Sequence, residues 1–254
     1  MIVRKKKSLG QNFIYDKNFL NKISKLITSS LNNTIIEVGP GPGTLTEYLF
    51  KKDYKKIILI EKDQRLIENL NQKFSSKKLT ILNEDALSFD YQEASLNNSI
   101  IVGNLPFNIS VDLLYRWTKT KYWPPKHIKM ILMFQKEVAN RIIAEPNSKS
   151  YGKLSVVVQS RYNISKLLDV PSILFTPAPK VDGTILEFTP HLDYQSIEIG
   201  KIDEVSKAAF SQRRKKIKNN MSKYIKILEM LSIDQNLRPE NLSVLNYCEI
   251  AKNI

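Results

Sequence analysis

Gly103-Asn104-Leu105-Pro106-Phe107 combines an amide, a stiffened backbone and an aromatic face within five residues. An adenine amine is a poor nucleophile because its lone pair is delocalised into the ring. An Asn side-chain oxygen and a backbone carbonyl can each accept one of its protons and so favour a more tetrahedral nitrogen. Pro106 would hold that backbone rigid, and Phe107 would offer a face on which an extruded base stacks. The same residue types also suit a plain turn, so the chemistry depends on what lies beside them.

A second stretch, Glu37-Val38-Gly39-Pro40-Gly41-Pro42-Gly43-Thr44, puts glycines where an apolar run gives way to a helical one. Without Cβ atoms, such a junction lets backbone approach a ligand closely. Its spacing is not the G-x-G-x-x-G dinucleotide fingerprint. Glu61 follows Gly39 by 22 residues, close to the roughly 20 expected of an acid that accepts hydrogen bonds from ribose hydroxyls. Asp85 ends the next apolar run and could accept from the exocyclic amine of an adenine. No lysine with Walker-type spacing follows the glycines, so a nucleoside ligand without phosphates fits better than a triphosphate.

These residues need strands that deliver them to one edge. Short β-branched runs lie at Thr34 to Val38, Ile57 to Ile60, Leu79 to Leu82, Ser99 to Val102 and Lys129 to Phe134, separated by stretches that can hold helices. That alternation predicts an α/β fold with a mostly parallel sheet and helices on both faces. Open sheets bind ligands at their strand ends. Leu154 to Gln159 and Thr184 to Phe188 read as further strands, about Lys17 to Ser30 and Thr44 to Leu49 as helices. Two alternating prolines exclude a helix from Phe175 to Val181. After Pro190 the apolar spacing becomes helical, with Pro239 placed to open a last helix. The expected division is residues 1–191 for the sheet domain with a basic arm and 192–254 for a small helical domain.

The 254 residues carry 39 Lys and Arg against 25 Asp and Glu, a net charge of +14. Such a surplus points to a polyanionic partner, and it clusters at Arg4, Lys5, Lys6 and Lys7 and at Arg213, Arg214, Lys215, Lys216 and Lys218. The single cysteine excludes a disulfide framework and a cysteine-rich zinc site. His127 and His191 lie near no carboxylate pair, so no metal site is expected. No apolar run approaches the ~20 residues of a spanning helix, and polar residues follow the basic start where a signal peptide would be apolar. A cytoplasmic protein is expected, with nothing requiring more than a monomer.

Lys7 to Ile14, Glu37 to Gly41, Asn104 to Ser110, Phe134 to Ala139, Thr176 to Asp182 and Phe210 to Lys215 together resemble the KsgA family of ribosomal RNA adenine dimethyltransferases. The blocks occur in the family's order and span nearly the whole chain. The resemblance implies a Rossmann-like class I methyltransferase fold with a small C-terminal helical domain. It also implies an S-adenosylmethionine-dependent enzyme that dimethylates N6 of two adjacent adenosines near the 3′ end of small-subunit ribosomal RNA, on an assembling subunit. By the family pattern Asn12, Ile14, Gly39 and Gly41 line the cofactor site, Glu61 takes the ribose and Asp85 the cofactor adenine. Asn104 sits between methyl donor and target amine, with Leu105, Pro106 and Phe107 completing the catalytic motif. Phe107 stands where the family often has Tyr, Ile14 for Leu and Gly183 for Ser. Two rivals remain: a large-subunit enzyme of the erythromycin-resistance type, favoured less by the Phe175 to Asp182 and Phe210 to Lys215 blocks, and a non-catalytic assembly factor.

Overall fold

The structure, a computed structural model, describes residues 12–28 and 30–254. Its elements in chain order are β1 (Phe13–Ile14), α1 (Lys17–Leu26), β2 (Thr34–Val38), α2 (Thr46–Leu49), β3 (Lys56–Glu61), α3 (Gln64–Lys73), β4 (Leu79–Asn83), β5 (Ser99–Gly103), α4 (Ser110–Thr118), β6 (His127–Gln135), α5 (Lys136–Ile142), α6 (Lys153–Gln159), β7 (Tyr162–Val170), β8 (Phe175–Thr176), β9 (Gly183–Pro190), α7 (Ile199–Ala209), α8 (Ile217–Asn220), α9 (Ile225–Met230) and α10 (Val244–Lys252).

Among the described residues, one seven-stranded sheet runs in the order β4-β3-β2-β5-β6-β9-β7. β2 pairs in parallel with β3 (Ile36 opposite Ile58) and with β5 (Ile36 opposite Ile101). β6 is parallel to β5, and β9 runs antiparallel to β6. β2 and β5 are buried at every position, as expected of parallel strands covered on both faces. Parallel pairing puts the C-terminal ends of β2, β3, β4 and β5 on one edge, which gathers the residues that follow them. β1 pairs with β8, so Phe13 lies opposite Thr176.

The chain divides into two compact units. One holds residues up to 117, 125–136 and 165–189; the other holds 118–124, 137–164 and 190–254. In the first, Leu20 and Ile23 of α1 pack with Ile35, Leu59, Val102, Ile131 and Ile185 of the sheet. In the second, α6, α7 and α10 contact one another. There the Phe210 ring stacks on Tyr247 at 5.8 Å and meets Tyr151 at 6.2 Å.

The Leu154 to Gln159 run is a helix, not the strand its valines suggest. Val156, Val157 and Val158 are all buried, so no polar face marks the helical period, and a short apolar run of this kind fits either element. The ends of the run are tied as a helix needs. Gly152 N–H donates to Ser155 Oγ at 3.1 Å, and the Gln159 amide donates to the carbonyls of Ile142 and Ala144 at 2.8 and 2.9 Å. Pro239 opens a single 3-10 turn, Pro239–Asn241, and the last helix starts only at Val244. His127 is fully buried in β6, where burial pushes it down to about 3.

Candidate active site

Gly39 and Gly41 adopt φ of +66° and +59°, the left-handed region that glycine enters without a Cβ penalty. A Cβ on Gly41 would lie 2.4 Å from Phe13 Cε1, whereas one on Gly39 would meet nothing nearer than Pro106 Cδ at 3.8 Å. The loop is thus closed against β1 on one side and open on the other. Gly39 N–H donates to the Ile60 carbonyl at 3.0 Å, locking the loop to the end of β3.

Glu61 is nearly buried. Its Oε2 accepts from Gly41 N–H at 3.2 Å, and its Oε1 accepts from the N–H groups of Lys62 and Asp63 at 2.9 Å each. Burial raises its pKa, and the Asp63, Gly41 and Lys62 N–H groups pull the other way. Asp85 Oδ2 accepts from Lys62 Nζ at 2.6 Å and Oδ1 from Leu87 N–H at 2.9 Å. The Lys62 ammonium, with that N–H, holds the Asp85 carboxyl below its usual range. Beneath the glycine loop Glu37 is buried and accepts from Thr46 Oγ1 at 2.7 Å. Burial pushes Glu37 up to about 7, aided by the nearby Glu61 and opposed by the Thr46 hydroxyl.

At the end of β5, Asn104 Nδ2 donates to the Asn12 carbonyl at 2.8 Å. That bond fixes the amide plane with its oxygen directed away from Asn12. Phe107 meets Phe175 of β8 with ring centroids 6.3 Å apart and planes at 65°.

One cleft, with a cavity volume of about 250 Å³, brings together Asn12, Gly39, Glu61, Asp85, Asn104, Leu105, Pro106 and Phe107. Gly41 reaches it through the hydrogen bond to Glu61. Ile14 does not line it; it is buried in the sheet core and lines a second cavity that shares Phe13, Gly39 and Asn104 with the cleft. Lys62, Ala86 and Leu87 also line the cleft, and no spacing rule singled them out. Phe175 sits in a motif the sequence displays, but its contact with Phe107 is a tertiary one that the sequence does not announce.

Arg4, Lys5, Lys6 and Lys7 lie outside the described residues. Arg213 is half-buried, with Nε donating to Glu240 Oε2 at 2.6 Å and Nη2 to the Ser148 carbonyl at 3.1 Å. Arg214, Lys215 and Lys216 are exposed in the turn before α8. Arg213 and Arg214 line a concavity with Arg141, Lys149, Lys153 and Arg238, four cations that the sequence runs did not reveal.

A family model described as ribosomal RNA adenine dimethylase matches residues 2–254. The chain is 38% identical to ribosomal RNA small subunit methyltransferase A of Pelagibacter ubique, over 99% of this chain and 97% of that one. It is 39% identical to the protein of the same name from Francisella tularensis subsp. novicida, over 97% and 96%. In three dimensions it is similar to a dimethyladenosine transferase from Plasmodium falciparum, with a TM-score of 0.82 and 22% identity over 94% of this chain and 96% of that one. It is also similar to the 23S rRNA methyltransferase ErmE, with a TM-score of 0.70 and 20% identity over 95% and 100%.

Proposed function

The chain belongs to the ribosomal RNA adenine dimethylase family, and from that membership we propose that it dimethylates N6 of two adjacent adenosines near the 3′ end of small-subunit ribosomal RNA. It is a methyltransferase that uses S-adenosylmethionine. The observation that carries the reading is the placement of Asn104, its amide held by the Asn12 carbonyl, in the cleft that also holds Glu61 and Asp85.

The cleft's residues fit this cofactor. Gly39 leaves an open backbone surface, Glu61 and Asp85 offer carboxylate oxygens for ribose hydroxyls and an adenine amine, and Ile60, Ala86 and Leu87 supply apolar wall. When bound, the cofactor supplies a methyl group on a cationic sulfur, for in-line transfer to nitrogen. Most of the rate then comes from orientation. The Asn104 oxygen and a backbone carbonyl accept the target amine's two protons and direct its lone pair toward the methyl. Pro106 stiffens that backbone, and Phe107 gives the extruded adenine a stacking face. As the nitrogen–carbon bond forms the amine becomes acidic, and one proton leaves to water or to a carbonyl. The second methylation requires the monomethylated amine to turn, so Asn104 must tolerate the loss of one donated proton.

The reading carries with it a cytoplasmic monomer acting on the assembling small subunit. Arg4 to Lys7 and Arg213 to Lys216 are proposed to contact RNA phosphates, the latter from the small helical domain of residues 192–254. Relatives named for the small subunit reach 38–39% identity, whereas the likeness to ErmE at 20% carries the fold alone.

The test is incubation of the protein with isotopically labelled S-adenosylmethionine and unmethylated small subunits, then mass spectrometry of the digested RNA. Label in N6,N6-dimethyladenosine that is lost in Asn104→Ala is expected. Label on large-subunit RNA instead establishes the resistance-type reading, and binding without label on either subunit establishes an assembly factor.

A further inference from the structure

Among the described residues that line the cleft, Lys62 is the one cation, in company with the acids Glu61, Glu84 and Asp85. Its side chain is 65% exposed, as a solvated surface lysine would be. What separates Lys62 is that it holds two of those acids at once. Its backbone N–H donates to Glu61 Oε1 at 2.9 Å, and its Nζ donates to Asp85 Oδ2 at 2.6 Å. The backbone that carries both residues is fixed in turn. The Asn83 amide, at the end of the neighbouring strand β4, donates to the carbonyls of Glu61 and Lys62 at 3.3 Å each.

Asp85 is gripped on both oxygens, Oδ2 by Lys62 and Oδ1 by Leu87 N–H at 2.9 Å. Two grips on one planar group fix its rotation, and each oxygen keeps a second lone pair for a further donor. A carboxylate that is one-third exposed and held by one bond alone turns and hydrates, so a ligand has to reorder and strip it on arrival. Ordering it beforehand lowers that cost. The ammonium, together with the Leu87 N–H, also holds the Asp85 carboxyl below its usual range, so that both oxygens remain acceptors.

We propose that Lys62 is a positioning residue for adenine recognition: by tying Asp85 to the backbone that holds Glu61, it sets the acceptor for the cofactor's exocyclic amine before the cofactor arrives. The proposal rests on the reading given above, in which Asp85 takes the cofactor adenine and Glu61 its ribose. Ribose hydroxyls and adenine amine belong to one nucleoside, so the two acids that meet them must stand at a matching separation. A residue bonded to both acids sets that separation. Lys62 acts through Asp85 and on no reacting atom. Its effect is modest, because water competes for a partly exposed ion pair, and it is confined to ligands that carry the amine.

The experiment measures, by calorimetry on the full chain, the affinities of S-adenosylhomocysteine and of its analogue with unsubstituted purine in place of adenine, which lacks only the amine. Wild type is expected to bind the first more tightly. Lys62→Met keeps the aliphatic stem and removes the ammonium. It should narrow that gap roughly 2–5-fold, the size of one partly exposed ion pair, while purine-analogue binding and the melting temperature stay at wild-type values. Lys62→Arg keeps the gap. In Asp85→Asn, where no ion pair remains, adding Lys62→Met changes the gap no further. An unchanged gap in Lys62→Met overturns the proposal, and so does a wider one, which makes the ammonium a competitor of the amine. Equal weakening of both ligands, or a lower melting temperature, overturns it in favour of a contact to the rest of the nucleoside or a structural role. If wild type binds both ligands equally, Asp85 does not read the amine, and that assignment falls together with the proposal. If it binds neither, the cofactor reading of the cleft falls first.

Discussion

Gly41 and Glu37 show how single residues set the cofactor end of the cleft. At Gly41 a side chain would be strained twice, by φ of +59° and by the Phe13 ring 2.4 Å from the new Cβ. Relief by moving β1 would displace Asn12 and with it the Asn104 amide. Gly41→Ala is expected to lose about 1–3 kcal/mol in urea unfolding and to bind S-adenosylhomocysteine more weakly by calorimetry. Glu37 is raised from 4.5 to about 7 by burial, and an acid so shifted keeps its proton longer in the folded chain than in the unfolded one. Between those pH values the unfolded chain has released a proton that the folded chain still binds. Stability contributed by Glu37 is therefore present at low pH, falls as pH rises through that window and is flat above it. Glu37→Gln removes the effect while keeping an oxygen for the Thr46 hydroxyl. Unfolding measured from pH 4 to 8 should show wild type losing about 1–3 kcal/mol relative to the variant, nearly all of it below pH 7.5.

Elements in this chain are held by their ends as much as by their faces. α10 begins with a reciprocal cap: Ser243 Oγ accepts from Asn246 N–H at 3.1 Å, and Asn246 Oδ1 accepts from Ser243 N–H at 3.0 Å. The helix then buries Tyr247, Cys248, Ile250 and Ala251. Ser243→Ala leaves the Asn246 N–H without its acceptor and is expected to cost about 0.5–2 kcal/mol, read as a lower urea midpoint at unchanged slope. α1 is closed differently, by Lys52, whose ammonium donates to the Ser24 and Ile27 carbonyls at 2.5 and 2.6 Å. The first kind of cap lies within four residues and is visible in a sequence. The second joins residues 25 and 28 apart, and nothing local announces it.

Across the whole molecule the surplus of +14 gives small-subunit RNA binding an expected steep salt dependence, at least tenfold weaker at about 200 mM than at about 50 mM. Exposed Arg214 and half-buried Arg213 should then separate in the same titrations. Arg214→Ala lowers the slope of log affinity against log salt by about 1 at unchanged stability, whereas Arg213→Ala also destabilises the fold because Glu240 loses its partner. The glycine junction, Glu61, Asp85 and Asn104 could all be located from the sequence for one physical reason. Consecutive parallel strands present their C-terminal ends on one edge, so residues that close successive apolar runs become neighbours in space. The parallel pairing of β2, β3, β4 and β5 follows from that alternation, whereas their order in the sheet, β4-β3-β2-β5, is set by packing. Other features come from packing between distant segments. Leu154 to Gln159 reads as either element because Val156, Val157 and Val158 are all buried, and the ties at its ends, Gly152 to Ser155 and Gln159 to Ile142 and Ala144, make it a helix. Lys62 on Asp85, Arg213 on Glu240, Phe107 against Phe175 and the burial of Ile14 each join or seat side chains through tertiary contacts. Sequence supplies the residue types for such pairs; the close approach of segments far apart along the chain selects which of them meet.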